Sequence, residues 1–256
     1  MNYQDLVFLD FETTGVNPYT AQPTQLAAVV IHGRKLEIHE DSIFESYIQP
    51  IWDEDECARL GLQPVTEEVL EKTNIARETL EKAPSLKTVW GQFQQYILRH
   101  NPKKSKWGAP IKAGMNIDKY DAIIIDRICG GHFRKAKTEL DKLQSGGIIQ
   151  TEGIKLAEPY GFGPWENERQ EEALFYPRDS VDLLRILWMW TENMPEIKSL
   201  SMDAIREWLG ISSEGAHNAK KDILDGAQIL VKFLKLHRTF ATKVKFKGSF
   251  KNGDEN

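Results

Sequence analysis

Apolar residues along this chain recur in two rhythms. Leu6, Val7, Phe8 and Leu9 form a short unbroken run that ends at Asp10 and the polar, glycine-bearing stretch TTGVNP. That pattern predicts a buried strand running into a loop. Thr24 to Ile31 predicts a second strand. A turn glycine in His32 to Lys35 and the looser alternation up to Pro50 (Leu36, Ile38, Ile43, Phe44, Tyr47, Ile48) predict a third, paired with the second as a hairpin. From Ser85 the spacing changes to threes and fours: Leu86, Val89, Trp90, Phe93, Tyr96 and Ile97 mark a helix with Ser85 as its N-cap. Ile111 to Gly114 predicts a short strand. Helices are expected over Ile117 to Ile128, Ser180 to Trp190, Met202 to Leu209 and Ala216 to about Leu236. Residues 132–178, with Gly146, Gly147, Gly161 and Gly163, follow neither rhythm. The order predicts an α/β fold with an antiparallel portion in its sheet. It is expected as one domain over 1–240 with an inserted subregion at about 132–178 and a basic tail over 241–256.

Composition narrows the class. At 256 residues, 41% hydrophobic and 28% charged, the chain has the make-up of a globular protein with a sizeable core. The longest aliphatic runs fall far short of the roughly 20 residues that span a bilayer, so no membrane association is expected. The opening MNYQD shows no basic and then apolar leader pattern. Only Cys57 and Cys129 occur, in no metal or redox spacing, so the expectation is a cytoplasmic or other reducing intracellular compartment. The net charge of −5 speaks against a general nucleic-acid binder until the chain is divided. Residues 1–100 carry 8 basic and 16 acidic side chains, residues 101–256 carry 25 and 22, and seven cations from Lys232 to Lys251 stand with no acid between Asp225 and Asp254.

Three places concentrate carboxylates. Asp10 and Glu12, two apart at a strand end, project to one side. Like charges so placed repel, so the pair is either a solvated strand end or a site for a cation. In the helix from Ile117, steps of 100° place Asp121 inside the stripe formed by Ile117, Tyr120, Ile124, Ile125 and Ile128. A core-facing carboxylate needs a partner: local backbone, an arginine or a metal. In the last helix Asp222 flanks the apolar side, whereas Asp225 shares a face with Lys221, Gln228 and Lys232 and reads as solvated. His217, five residues before Asp222, cannot share its face on a continuous helix and is assigned to the entering loop. Oxygen-only ligands favour hard cations, Mg²⁺ or Mn²⁺, over zinc.

FLDFETTG (Phe8 to Gly15), NIDKYDAII (Asn116 to Ile124) and AHNAKKDILDGAQIL (Ala216 to Leu230) resemble the three motifs of the DEDD superfamily of 3′→5′ exonucleases. The spacing H-x-x-x-x-D is similar to its DEDDh subgroup, which includes the proofreading subunit of bacterial replicative polymerase, ribonuclease T and oligoribonuclease. The segment from Lys72 to Ile97 and DSVDLL (Asp179 to Leu184) also resemble parts of that subgroup. The resemblance implies a ribonuclease-H-like fold, a five-stranded mixed sheet whose second strand is antiparallel. It implies that Asp10, Glu12, Asp121 and Asp222 hold two divalent cations and that His217 acts as general base. Thr13, Thr14 and Gly15 resemble the loop that receives the 3′-terminal nucleotide, and Asn116 either contacts the penultimate nucleotide or caps its helix. The implied activity is release of nucleoside 5′-monophosphates from single-stranded or frayed 3′ ends, DNA ahead of RNA, with a polymerase or replication protein as a conceivable partner. The alternatives are an RNA-trimming or oligoribonucleotide-degrading enzyme, or a catalytically silent binding module.

The second motif departs from the subgroup's usual H-N-x-x-F-D, since Gly114 and Met115 precede Asn116 here. The long 132–178 segment is a second departure. Its aromatics Phe133, Tyr160, Phe162, Trp165, Phe175 and Tyr176 suit either stacking on bases or a small core of their own.

Overall fold

Strand β1 (Leu6–Thr13) is the centre of a five-stranded sheet and is buried on both faces. Its side chains alternate, so Val7, Leu9 and Phe11 enter one core cluster while Leu6 and Phe8 enter the other. Asp10 and Glu12 follow the even positions. A computed structural model describes residues 3–102, 104–129, 174–216 and 218–244.

β1 pairs antiparallel with β2 (Pro23–His32), which pairs antiparallel with β3 (Glu37–Tyr47) as the expected hairpin. On its other side β1 pairs parallel with β4 (Ile111–Gly114), and β4 with β5 (Ser180–Asp182), giving the order β3-β2-β1-β4-β5. The α/β class and the mixed sheet with an antiparallel second strand are as expected. Three short helices, α1 (Glu54–Leu60), α2 (Glu67–Thr73) and α3 (Arg77–Glu81), connect β3 to α4 (Leu86–Arg99). Ser85 caps α4 as the sequence predicts, accepting the Thr88 amide. α4 and α5 (Asp121–Ile128) cover the odd face of β1.

The even face is covered by α6 (Leu183–Thr191), α7 (Met202–Leu209) and the 25-residue α8 (Ala219–Lys243). Gly226 of α8 lies directly on Phe8: a Cβ there would stand 2.4 Å from the ring. One helical turn back from Gly226 is Asp222, and two strand residues on from Phe8 is Asp10. These steps measure ~6 Å and ~6.6 Å, so the helix register carries Asp222 to Asp10. Gly226→Ala is therefore expected to destabilise the fold by about 1–3 kcal/mol through overpacking. Helix propensity alone would give a gain of up to about 1 kcal/mol. Denaturant unfolding of the two proteins checks the sign.

Several expectations are corrected. The helix expected from Ile117 begins at Asp121, because Asn116 has φ +58° and the chain turns through residues 117–120. Asn116 thus caps nothing: Tyr120 is the N-cap position, and the Asn116 amide donates to Asp182 at 3.0 Å. Ser180 to Asp182 is strand, not helix. Asp182 also caps α6, accepting the Leu184 amide at 3.0 Å. The last helix continues through Lys243, so the basic tail does not begin at 241. Within the basic run Arg238 is engaged, donating to the carbonyls of Gly33 at 2.6 Å and Arg34 at 2.7 Å. Leu174 and Phe175 belong to the main core, with Phe175 6.3 Å from the Phe93 ring, and Tyr176 packs edge-on to Trp107 at 6.1 Å. The end of the expected insertion is therefore part of the domain. Phe133, Tyr160, Phe162 and Trp165 lie outside the described residues. No helix among the described residues is long and apolar enough to cross a membrane.

Candidate active site

At the carboxyl end of β1, beyond its pairing with β4, one carboxylate oxygen each of Asp10, Glu12 and Asp222 lie within 4.8 Å of one another. Asp10 and Glu12 arrive by strand alternation and Asp222 by the register of α8. The edge of a parallel pair outside its carboxyl ends is where open α/β sheets bind ligands. Asp121 stands outside that trio. Buried at the first turn of α5, it accepts the Phe11 amide at 3.1 Å, at the strand position between Asp10 and Glu12.

The acids are crowded enough to hold protons. Burial first, and then the charge of Asp222, push Asp10 up to about 7 against the opposing pull of Arg206. Burial, then Asp10 and Asp222, push Glu12 up to about 8, with Lys72 opposing. Asp121 is held well above the usual carboxylate range by burial and by Asp10, partly offset by the Phe11 amide. Carboxylates gathered this way carry more negative charge than Arg206 and Lys72 offset, and all their donors are oxygen. Both facts fit a hard divalent cation.

The loop after β1 is built rigidly. The Thr13 hydroxyl bonds the Gly15 carbonyl at 2.9 Å, and the Tyr120 hydroxyl donates to that same carbonyl. Thr14 is fully buried; its hydroxyl donates to the Gln63 carbonyl and accepts the Gln22 amide, each at 3.0 Å. A Cβ on Gly15 would fall 1.9 Å from the terminal amide of Gln63, so a larger residue there displaces the end of that flexible side chain. Of the proposed substrate loop, Thr13 and Gly15 are half-buried at the surface while the Thr14 side chain faces inward. Asn116, half-buried, sits where β4 hands over to the turn before α5. His217 lies outside the described residues.

Two charged residues escape the sequence reading. Asp225 is 5% exposed rather than solvated, because α7 packs on that side of α8. Arg206 of α7 is 1% exposed; its Nε donates to Asp225 at 2.8 Å and its guanidinium also bonds Asp222. A signal was available: Met202, Ile205, Arg206 and Leu209 occupy the i, i+3, i+4, i+7 stripe, so a cation lies on the core face of α7. Periodicity assigns Tyr120 only to the apolar stripe, because its hydroxyl contact crosses 105 residues of sequence.

Residues 7–102 match the exonuclease family RNase_T, a stretch that holds Asp10, Glu12 and the loop to Gly15. Among solved structures the chain is similar to cell-death related nuclease 4 (TM-score 0.56, 19% identity, 91% of this chain and 64% of that one). It is also similar to the nuclease domain of 3′hExo, a DEDDh family member, bound to rAMP (0.54, 13%, 91% and 93%). A third is E. coli exonuclease I in complex with a dT13 oligonucleotide (0.55, 16%, 93% and 43%). At these identities the likenesses establish the shared fold. The chain spans 64% of the length of cell-death related nuclease 4. No curated protein matches the chain by sequence.

Proposed function

We propose that this protein is a metal-dependent 3′→5′ exonuclease that releases nucleoside 5′-monophosphates from single-stranded or frayed 3′ ends, with DNA preferred. The observation that carries the reading is the convergence of Asp10, Glu12 and Asp222 at the carboxyl end of β1, with Asp121 beside them. These four acids are assigned to hold two divalent cations, Mg²⁺ or Mn²⁺. Such a pair, when bound, supplies positive charge to the attacking and leaving oxygens of an in-line displacement. His217 is assigned as general base, taking the proton from the attacking water, a task suited to a side chain whose ordinary pKa is ~6.5. Thr13 and Gly15 are assigned to the rim that seats the terminal nucleotide, where Tyr120 fixes the Gly15 carbonyl.

Presence of all four acids with His217 supports catalysis over a silent binding module. The preference for DNA rests on the first motif, FLDFETTG. An RNA substrate is favoured instead by the 93% coverage of a nuclease domain crystallised with rAMP. The test uses 5′-labelled single-stranded DNA, duplex DNA with a 3′ overhang and RNA, each with Mg²⁺, Mn²⁺ or EDTA. Laddering from the 3′ end that EDTA abolishes is expected, fastest on single-stranded DNA. A faster ladder on RNA would reassign the substrate, and endonucleolytic or metal-independent cleavage would sink the activity itself.

A further inference from the structure

Arg206 is an expensive residue to keep in place. A guanidinium cannot shed its proton, and burying it costs several kcal/mol unless it is fully paired. It spans two neighbours on α8: Nε to Asp225 at 2.8 Å, and a terminal nitrogen to Oδ1 of Asp222. Its third contact, Asp203 at 3.2 Å, is 54% exposed and screened by water. Asp225 already has a cation, since Lys221 Nζ lies 2.6 Å from both of its oxygens. The charge of Arg206 is therefore directed at Asp222, and it reaches as far as Asp10. Asp222 is one of the three acids whose oxygens converge.

Building on the metal-dependent reading above, we propose that Arg206 is an internal counter-cation of the metal site, competing with divalent metal for Asp222 and thereby setting the affinity. In the metal-free protein it holds Oδ1 of Asp222 and lessens the repulsion among the acids. When metal binds, the same charge opposes it, so the site takes up metal less tightly than four carboxylates alone would. Removing Arg206 leaves Asp225 paired with Lys221 and the exposed Asp203 in water, so among the converging acids only Asp222 loses this cation.

Titration of the metal-free protein with Mn²⁺ at pH 8, read by the EPR signal of free Mn²⁺, tests this. Arg206→Gln is expected to bind Mn²⁺ roughly tenfold more tightly than wild type, through loss of a like charge a few ångströms away. Arg206→Lys, which keeps the charge but not the fork, is expected to stay within about threefold of wild type. A residue that merely braces α7 against α8 predicts weaker binding in both variants, and that result would overturn the proposal, as would unchanged affinity in Arg206→Gln. Circular dichroism reports folding. Should Arg206→Gln fail to fold, Arg206→Met, apolar and of similar length, carries the same expectation. Should neither neutral variant fold, the lysine variant decides: near wild-type affinity supports the counter-cation, and a tenfold loss overturns it. Absence of Mn²⁺ binding by wild type would instead refute the metal-dependent reading itself.

Discussion

Asp10→Asn is expected to lower 3′-exonuclease turnover by on the order of 10²-fold or more and, at the same time, to raise the melting temperature of the metal-free protein at pH 8.5. The turnover loss follows from removing one preorganised charged group from the centre of the proposed site. The stability gain follows from the same crowding. Asp10 is central among the acids, raised to about 7 by burial and by Asp222, and its charge in turn raises both Glu12 and Asp121. An amide of the same shape removes that repulsion. A function-for-stability exchange of this kind is characteristic of active sites. Steady-state rates on a labelled oligonucleotide, beside thermal melts in EDTA, check both halves. Wild-type turnover in the variant would sink the assignment of Asp10, and a lower melting temperature would contradict the electrostatic account.

Metal and pH are expected to act on stability together. Asp10 and Glu12 have folded-state values of about 7 and about 8, above their unfolded values of 3.8 and 4.5. Between those limits the folded protein binds more protons than the unfolded chain, so the metal-free protein loses stability as pH rises from about 4 to 8. Divalent metal takes the place of those protons. At about 100 times its dissociation constant a ligand specific to the folded state adds about 2.7 kcal/mol. For a domain of this size that is roughly 5–11 °C. The rise on adding Mn²⁺ is expected in full at pH 8.5 and to be much smaller at pH 5.5, where protons occupy the acids. Equal shifts at both pH values would show that the ions bind elsewhere.

Much of this site is visible in short-range pattern. The Leu6 to Leu9 run ending in Asp10-Phe11-Glu12 places two acids on one side, since strand alternation needs no tertiary information. Asp121 stands out because an acid in an isoleucine stripe breaks helical periodicity. Asp222 against Asp225 was the weaker distinction. Periodicity located Asp222 beside the apolar face, but it read Asp225 as solvated because the cation that buries it comes from another helix. The start of α5 is not legible in periodicity for a related reason: the turn over 117–120 depends on a positive φ at Asn116 and a bond from its backbone amide to Asp182, 66 residues away.

The sequence by itself determined the α/β class, the hairpin at the start of the sheet and the residue types of the proposed oxygen-ligand cation site, because each is written in spacings shorter than a helix or strand. The tertiary structure alone decided that Asp10, Glu12 and Asp222 meet within 4.8 Å, that Tyr120 fastens the loop at Gly15, and that Arg206 stands against the site. Those outcomes depend on the close fit of Gly226 on Phe8 and on α7 packing against α8, contacts between residues far apart in the chain. Local pattern fixes which face a side chain takes, but only packing fixes what that face meets.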